Sequence, residues 1–209
     1  MCARLDNTGL LADVTYAVLH GQADAGRERC YLHRRADSGY WITSDLDLTL
    51  PAVQTVHLQI HAASDWRIES LKVRWLSDPP RDATYQVASS AWKATIVTHE
   101  TTIERSLALG REALADFDSI CSAILAVNRL KLAPDEKRHV DTVRIEWPRL
   151  EPVPSRKQIE HQGTEHTATP AGQFETARYR WGTHHLWVDT HGIVVAADHY
   201  RLVEYHWLG

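Results

Sequence analysis

The feature that most constrains this chain is a period-two alternation that runs through most of its length and is broken once, near the middle, by a helical period. Val56, Leu58 and Ile60 fall on one side of a strand, and His57, Gln59 and His61 on the other, because successive strand side chains point to opposite faces. Leu71, Val73 and Trp75 repeat the pattern against Lys72 and Arg74. Gly39 to Leu50 alternates after the Asp37-Ser38-Gly39 turn, and Ala91 to Ile103 has the Thr, Val and Ile content of one or two strands. Between them, Ser77-Asp78-Pro79-Pro80 stops a strand, since proline cannot donate to a ladder. Rows of this kind read as antiparallel sheet with one buried face.

The interruption is a helix. Asp118 or Ser119 can cap it, Ile120, Ala123, Ile124, Val127 and Leu130 follow at helical spacing, and Pro134 stops it. A helix over 118–130 is too short to be stable alone and must dock on the sheet. Strand patterning resumes from His139 to Trp147. Pro148, Pro152 and Pro154 then predict an irregular crossing segment and argue against a central strand. Gln173 to Trp181, a hairpin of Leu186–Asp189 with Ile193–Ala197, and Leu202 to Trp207 complete the chain. The expected class is mainly β (α+β): two runs of antiparallel strands around one central helix, in a single domain of 209 residues. The near-symmetric layout admits an internal pseudo-repeat of about 30–118 and 135–209.

Composition removes several function classes. No segment approaches the roughly 20 apolar residues of a membrane span, and Met1-Cys2-Ala3-Arg4-Leu5-Asp6 lacks the layout of a signal peptide. With Cys2, Cys30 and Cys121 odd in number and widely spaced, the expectation is a cytoplasmic protein without a disulfide framework or zinc ribbon. A formal charge of −4 offers nucleic acid no electrostatic footprint. There is no Gly-x-Gly-x-x-Gly or phosphate loop, so no cofactor is expected. There is no His-x-His, His-Glu-x-x-His or Cys-x-x-Cys, so no metal is expected either. Exposed sheet edges make a homodimer plausible.

Leu125-Ala126-Val127-Asn128-Arg129-Leu130 followed, after a spacer, by Ile145-Glu146-Trp147-Pro148-Arg149-Leu150 resembles the middle of a family designated glycolipid-binding. The tail is similar too, in Tyr179-Arg180-Trp181, Leu186-Trp187-Val188-Asp189, Gly192-Ile193-Val194 and Leu202-Val203-Glu204. Element order agrees over roughly residues 35 to 208, and motifs agree in the second half alone. The chain departs from that family at Ile120-Cys121-Ser122-Ala123 and in the His-rich Gln162-Gly163-Thr164-Glu165-His166. The resemblance implies two similar curved antiparallel sheets forming a half-barrel or clasp, and a lipid-like ligand. A looser similarity links the tail to the curved sheets of lipoprotein-carrier folds, which embrace acyl chains.

Eight Trp and thirteen His supply the candidate site residues. Trp41, Trp66, Trp75, Trp92, Trp181 and Trp187, with Tyr179, are candidates for a shared concave wall against a hydrophobic small molecule. Core packing is the alternative for each. His57 and His61 are roughly 13 Å apart at about 3.3 Å per residue, too far to share an ion. As acid–base groups, oriented by Asp45 or Glu69, they would carry the chemistry of a cofactor-free enzyme. His184 and His185 are the second choice. Three functions follow: a binding protein for a hydrophobic or amphipathic ligand, a hydrolase, lyase or isomerase acting in the same pocket, and a protein–protein adaptor with a filled core.

Overall fold

A computed structural model describes residues 9–209. The first run of strands comprises β1 (Leu10–His20), β2 (Ala23–Arg34), β3 (Tyr40–Leu48), β4 (Gln54–Ala62), β5 (Ile68–Trp75), β6 (Arg81–Val87), β7 (Trp92–Val97), β8 (Thr102–Leu107) and the short β9 (Leu114–Asp116). The helix α1 (Ile120–Leu130) follows. The second run is β10 (Lys137–Glu146), β11 (Glu151–Thr169), β12 (Gly172–Trp181), β13 (His184–Val188), β14 (Val194–Ala197) and β15 (Tyr200–Trp207).

The two runs form one curved sheet of fifteen strands, because β1 pairs with β15 and so joins them at the sheet's centre. Neighbours are antiparallel except β9 and β10. The mostly antiparallel, curved, single-helix architecture is therefore the expected one. The sheet curls until its halves meet: the Tyr85 hydroxyl donates to the Leu150 carbonyl at 2.5 Å, and Trp75 packs edge-on against Trp147.

Register explains the core. Leu58 lies opposite Val73, Val73 opposite Ala83, and Ala83 opposite Ile96, so one apolar row crosses β4 to β7 on the concave face. All four are buried, and each such aliphatic side chain contributes about 1.5–3 kcal/mol relative to exposure, less for alanine. Free edges fall at β8 and β9. β8 is mostly exposed and carries Glu104 and Arg105, charges of the kind that discourage further strand addition.

Helix α1 fills the hollow. Ser119 is its N-cap, accepting from the Cys121 amide at 3.2 Å, and Lys131 closes it in the left-handed conformation. Ile120, Ala123, Ile124 and Val127 are all buried, as the spacing predicts, but so are Cys121, Ser122, Leu125 and Ala126. The helix is enclosed on nearly every side over its first two turns. Asn128 locks its end by donating to the Gly192 carbonyl at 2.7 Å. Among the described residues no helix is long and apolar enough to cross a membrane.

The proline-rich segment differs from expectation. Pro152 and Pro154 lie within β11, opposite Ile145 and Val143 of β10. β12 pairs with β11 only from Ile159 onward. The prolines thus occupy a stretch with a ladder on one side, and being two residues apart both place their missing N–H on the same side.

Gly26 in β2 has φ +151°, and a Cβ there would stand 2.0 Å from the Asp47 carbonyl oxygen of β3. Backbone cannot yield as a flexible side chain does. Gly26→Ala should therefore cost about 2–4 kcal/mol in urea unfolding. A loss under about 0.5 kcal/mol would show that β2 and β3 can separate there at little cost.

Candidate functional site

The N-terminal end of α1 opens onto a cleft of about 290 Å3. Its apolar lining comes from Val18, Leu48, Phe117, Ile120, Ala123, Trp181, Leu186 and Ala197. Its polar lining is Asp116, Asp118, Ser119, Ser122, Lys157, His184, Asp198, His199 and Tyr200. Lys157 Nζ reaches Asp116 at 2.7 Å and lies over the Trp181 ring at 5.6 Å. His184 Nδ1 is 3.3 Å from Asp198 Oδ2. A hollow of about 450 Å3 elsewhere is lined by Glu112, Arg129, Arg138, His139 and Asp141 among others. It has no aromatic wall other than His139, and the smaller cleft is the better formed for an amphipathic guest.

Behind the cleft lies a buried polar cluster. Glu28 of β2 is fully buried. Its Oε1 accepts from the Ser44 hydroxyl at 2.6 Å and from the Ser119 hydroxyl, and its Oε2 accepts from the Ile120 amide at 3.2 Å. One carboxyl group thereby ties β3, the helix cap and the first helical amide to β2. Burial pushes that carboxyl above its ordinary value, and the hydrogen bonds from Ser119, Ser44 and Ile120 offset the shift only in part. Cys30 and Cys121 sit beside it with their sulfurs 3.3 Å apart, and burial pushes the Cys30 thiol up as well. Tyr200, on the cleft wall, extends its hydroxyl to the Asp118 carbonyl at 3.4 Å.

The aromatic candidates are dispersed. Trp181 lines the cleft. Trp92 is fully buried in the core, and Trp75 packs on Trp147. Trp66 stacks on Tyr40 at 3.8 Å, Trp41 lies between His33 and His61, and Trp187 donates to Glu165. Tyr179 stacks on His161 at 4.8 Å and borders a separate hollow beside Gly192. One shared Trp-lined surface is not what the structure brings together.

The histidine candidates lie on the outer face. His57 faces Asp45 across the β3–β4 ladder and pairs with it, both side chains well exposed. His61 is exposed and touches Trp41. Glu69 pairs with Arg35 at 2.6 Å. None of the four lines the cleft, whereas His184, the second choice, does. Sequence reading passed over Glu28, Ser44, Lys157, Asp198 and Tyr200. The available signal was Glu28 itself, a charge in the inward row Glu28, Cys30, Leu32 of β2, whose outward row is Arg27, Arg29 and Tyr31.

These features define a barrel-like, curved-sheet protein with a helix in its concave side and a small cleft at the helix start. Two solved structures share that fold. One is a DUF1089 family protein from Pseudomonas aeruginosa, with TM-score 0.56 and 17% identity over 81% of this chain and 88% of that one. The other is a beta-barrel-like protein of the domain of unknown function DUF1849 from Brucella abortus, with TM-score 0.61 and 7% identity over 96% of this chain and 98% of that one. No family model and no curated protein matches the chain.

Proposed function

We propose that the protein binds a small amphipathic molecule in the cleft at the start of α1, with an apolar body against Trp181, Leu186 and Phe117 and a hydroxyl-bearing head toward Lys157, His184 and Asp198. The observation that carries this reading is the mixed lining of the cleft, in which Trp181, Leu186 and Phe117 stand with the Asp116–Lys157 and His184–Asp198 pairs. Such a lining offers partners to both ends of an amphipathic guest. A sugar head suits it, since hydroxyls both donate and accept, and carboxylates beside a lysine and a histidine offer both partners. The sequence resemblance to a glycolipid-binding family points the same way.

Medium-chain alkyl glycosides are the first probes, with tryptophan emission as the readout. Saturable binding is expected, weakened about tenfold or more by Trp181→Ala, since removing a buried aromatic wall costs on the order of 1–3 kcal/mol. Equal affinity in wild type and Trp181→Ala would remove the cleft as the site.

The His184–Asp198 contact on the cleft wall favours a second reading, acid–base turnover of the same guest. Mass spectrometry of the recovered ligand separates the two. Binding alone returns it unchanged, and turnover converts it in a manner lost in His184→Ala.

A further inference from the structure

The buried cluster behind the cleft is more than a helix anchor. We propose that Glu28, Cys30 and Cys121 form a binding site for a single thiophilic divalent cation of the zinc type. One ligand atom from each of the three lies within 4.8 Å of the other two. The edges of the triangle decide the case: sulfur to sulfur is 3.3 Å, and the sulfurs stand 3.5 and 3.9 Å from Glu28 Oε1. A tetrahedral zinc with Zn–S of about 2.3 Å and Zn–O of about 2.0–2.2 Å requires ligand edges of roughly 3.5–3.8 Å. The side chains need to move by only a few tenths of an ångström to meet those edges.

The surroundings are built for it. Glu28 and Cys30 are two apart on one strand and share a face, while Cys121 enters from the first turn of α1. At Glu28 Oε1 the cation would take the place of the two thiol protons, whose sulfurs stand 3.5 and 3.9 Å away, and would share that oxygen with the Ser44 and Ser119 hydroxyls. Ser44 and Ser119 hold the carboxyl group in orientation, as partners behind a ligand commonly do. Two thiolates, a carboxylate and a divalent ion sum to −1, and the helix N-terminus beside them carries the opposing partial charge.

A second observation points to the same place. Tyr16 of β1 lies opposite Glu28 in the ladder and is completely buried, yet its hydroxyl has no hydrogen-bond partner. Tyr16 thus leaves a buried, unpaired hydroxyl on the strand position that faces Glu28. Ser119, which bonds Glu28, also lines the cleft, so the cluster lies one side chain behind it.

The test is cobalt titration of reduced, tag-free protein carrying Cys2→Ser, so that Cys30 and Cys121 are its only thiols. One equivalent of Co2+ should produce thiolate-to-cobalt charge-transfer absorption in the near ultraviolet with the strong visible bands of a tetrahedral ion. One equivalent of Zn2+ should bleach both. Cys30→Ser and Cys121→Ser should each abolish the charge-transfer band, and Glu28→Gln should weaken binding tenfold or more. Should a variant fail to fold, alkylation of the parent protein reports instead: Zn2+ should protect Cys30 and Cys121 from iodoacetamide at least tenfold. The proposal is overturned if cobalt gives no charge-transfer band at any ratio, if the band persists in both cysteine variants, or if Zn2+ leaves alkylation unchanged. A pair that alkylates only after reduction, and then gives no cobalt band, is a redox disulfide and equally overturns it.

Discussion

Replacing Ile124 by Asp should lower the melting temperature by roughly 10 °C, taking about 2–4 °C per kcal/mol for a chain of this length. Ile124 is 3% exposed, and the helix turn that carries it is buried on nearly every side. An aspartate there meets no cation, so it either keeps an unpaired buried charge or pulls the helix out of the sheet. Each outcome costs on the order of 4 kcal/mol. Ile124→Val removes only a methylene and should cost about 0.5–1.5 kcal/mol. Thermal unfolding of the three proteins must give that order, and an Asp variant melting with the wild type would mean that α1 does not contribute to the core.

The second large effect is at Glu28. Two terms compete when it becomes Leu. Removing a buried carboxyl relieves a desolvation penalty. Against that, the Ser44 and Ser119 hydroxyls and the Ile120 amide lose their acceptor, at about 1–3 kcal/mol for each group left unpaired. The upward push that burial gives the carboxyl's pKa records that penalty, and the three orphaned donors outweigh it. Glu28→Leu should lose about 3 kcal/mol in urea unfolding of the metal-free protein. Glu28→Gln, which keeps an acceptor oxygen, should lose less. Wild-type stability in the Leu variant would mean that the helix start does not depend on this anchor.

How much of this was legible depends on what specifies each part. The row Val56, Leu58, Ile60 is readable because its faces are unlike, and one face of the sheet is core. Helix α1 is readable because Ser119 and Pro134 bracket a helical period. β1 and β2 are harder. Their pairing shifts register between Val18 and Leu19, and the inward row of β2 carries Glu28 where a hydrophobe would mark it. The cluster's partners come from 16 and 91 residues away, and no local pattern announces a contact of that span. The tryptophans misled for a simple reason: strands that share a core place large side chains on it, so Trp75, Trp92 and Trp181 on separate strands describe a core as well as a pocket. Trp181 reaches the cleft because β12 ends there, beside the start of α1.

The β1–β15 seam has a consequence for the order in which the molecule can be assembled. Every other pairing in the sheet joins strands that are neighbours in sequence, save β9 with β10, which brackets the helix. Those hairpins can zip as the ribosome delivers them. The seam joins Ala12 to Trp207, and closing so long a loop waits on entropy that no local contact repays in advance. Until β15 emerges, β1 offers a bare edge along nearly its whole length, in the middle of what will be the finished sheet. The nascent protein therefore passes through a stage in which its most central strand is the most open to pairing with the wrong chain.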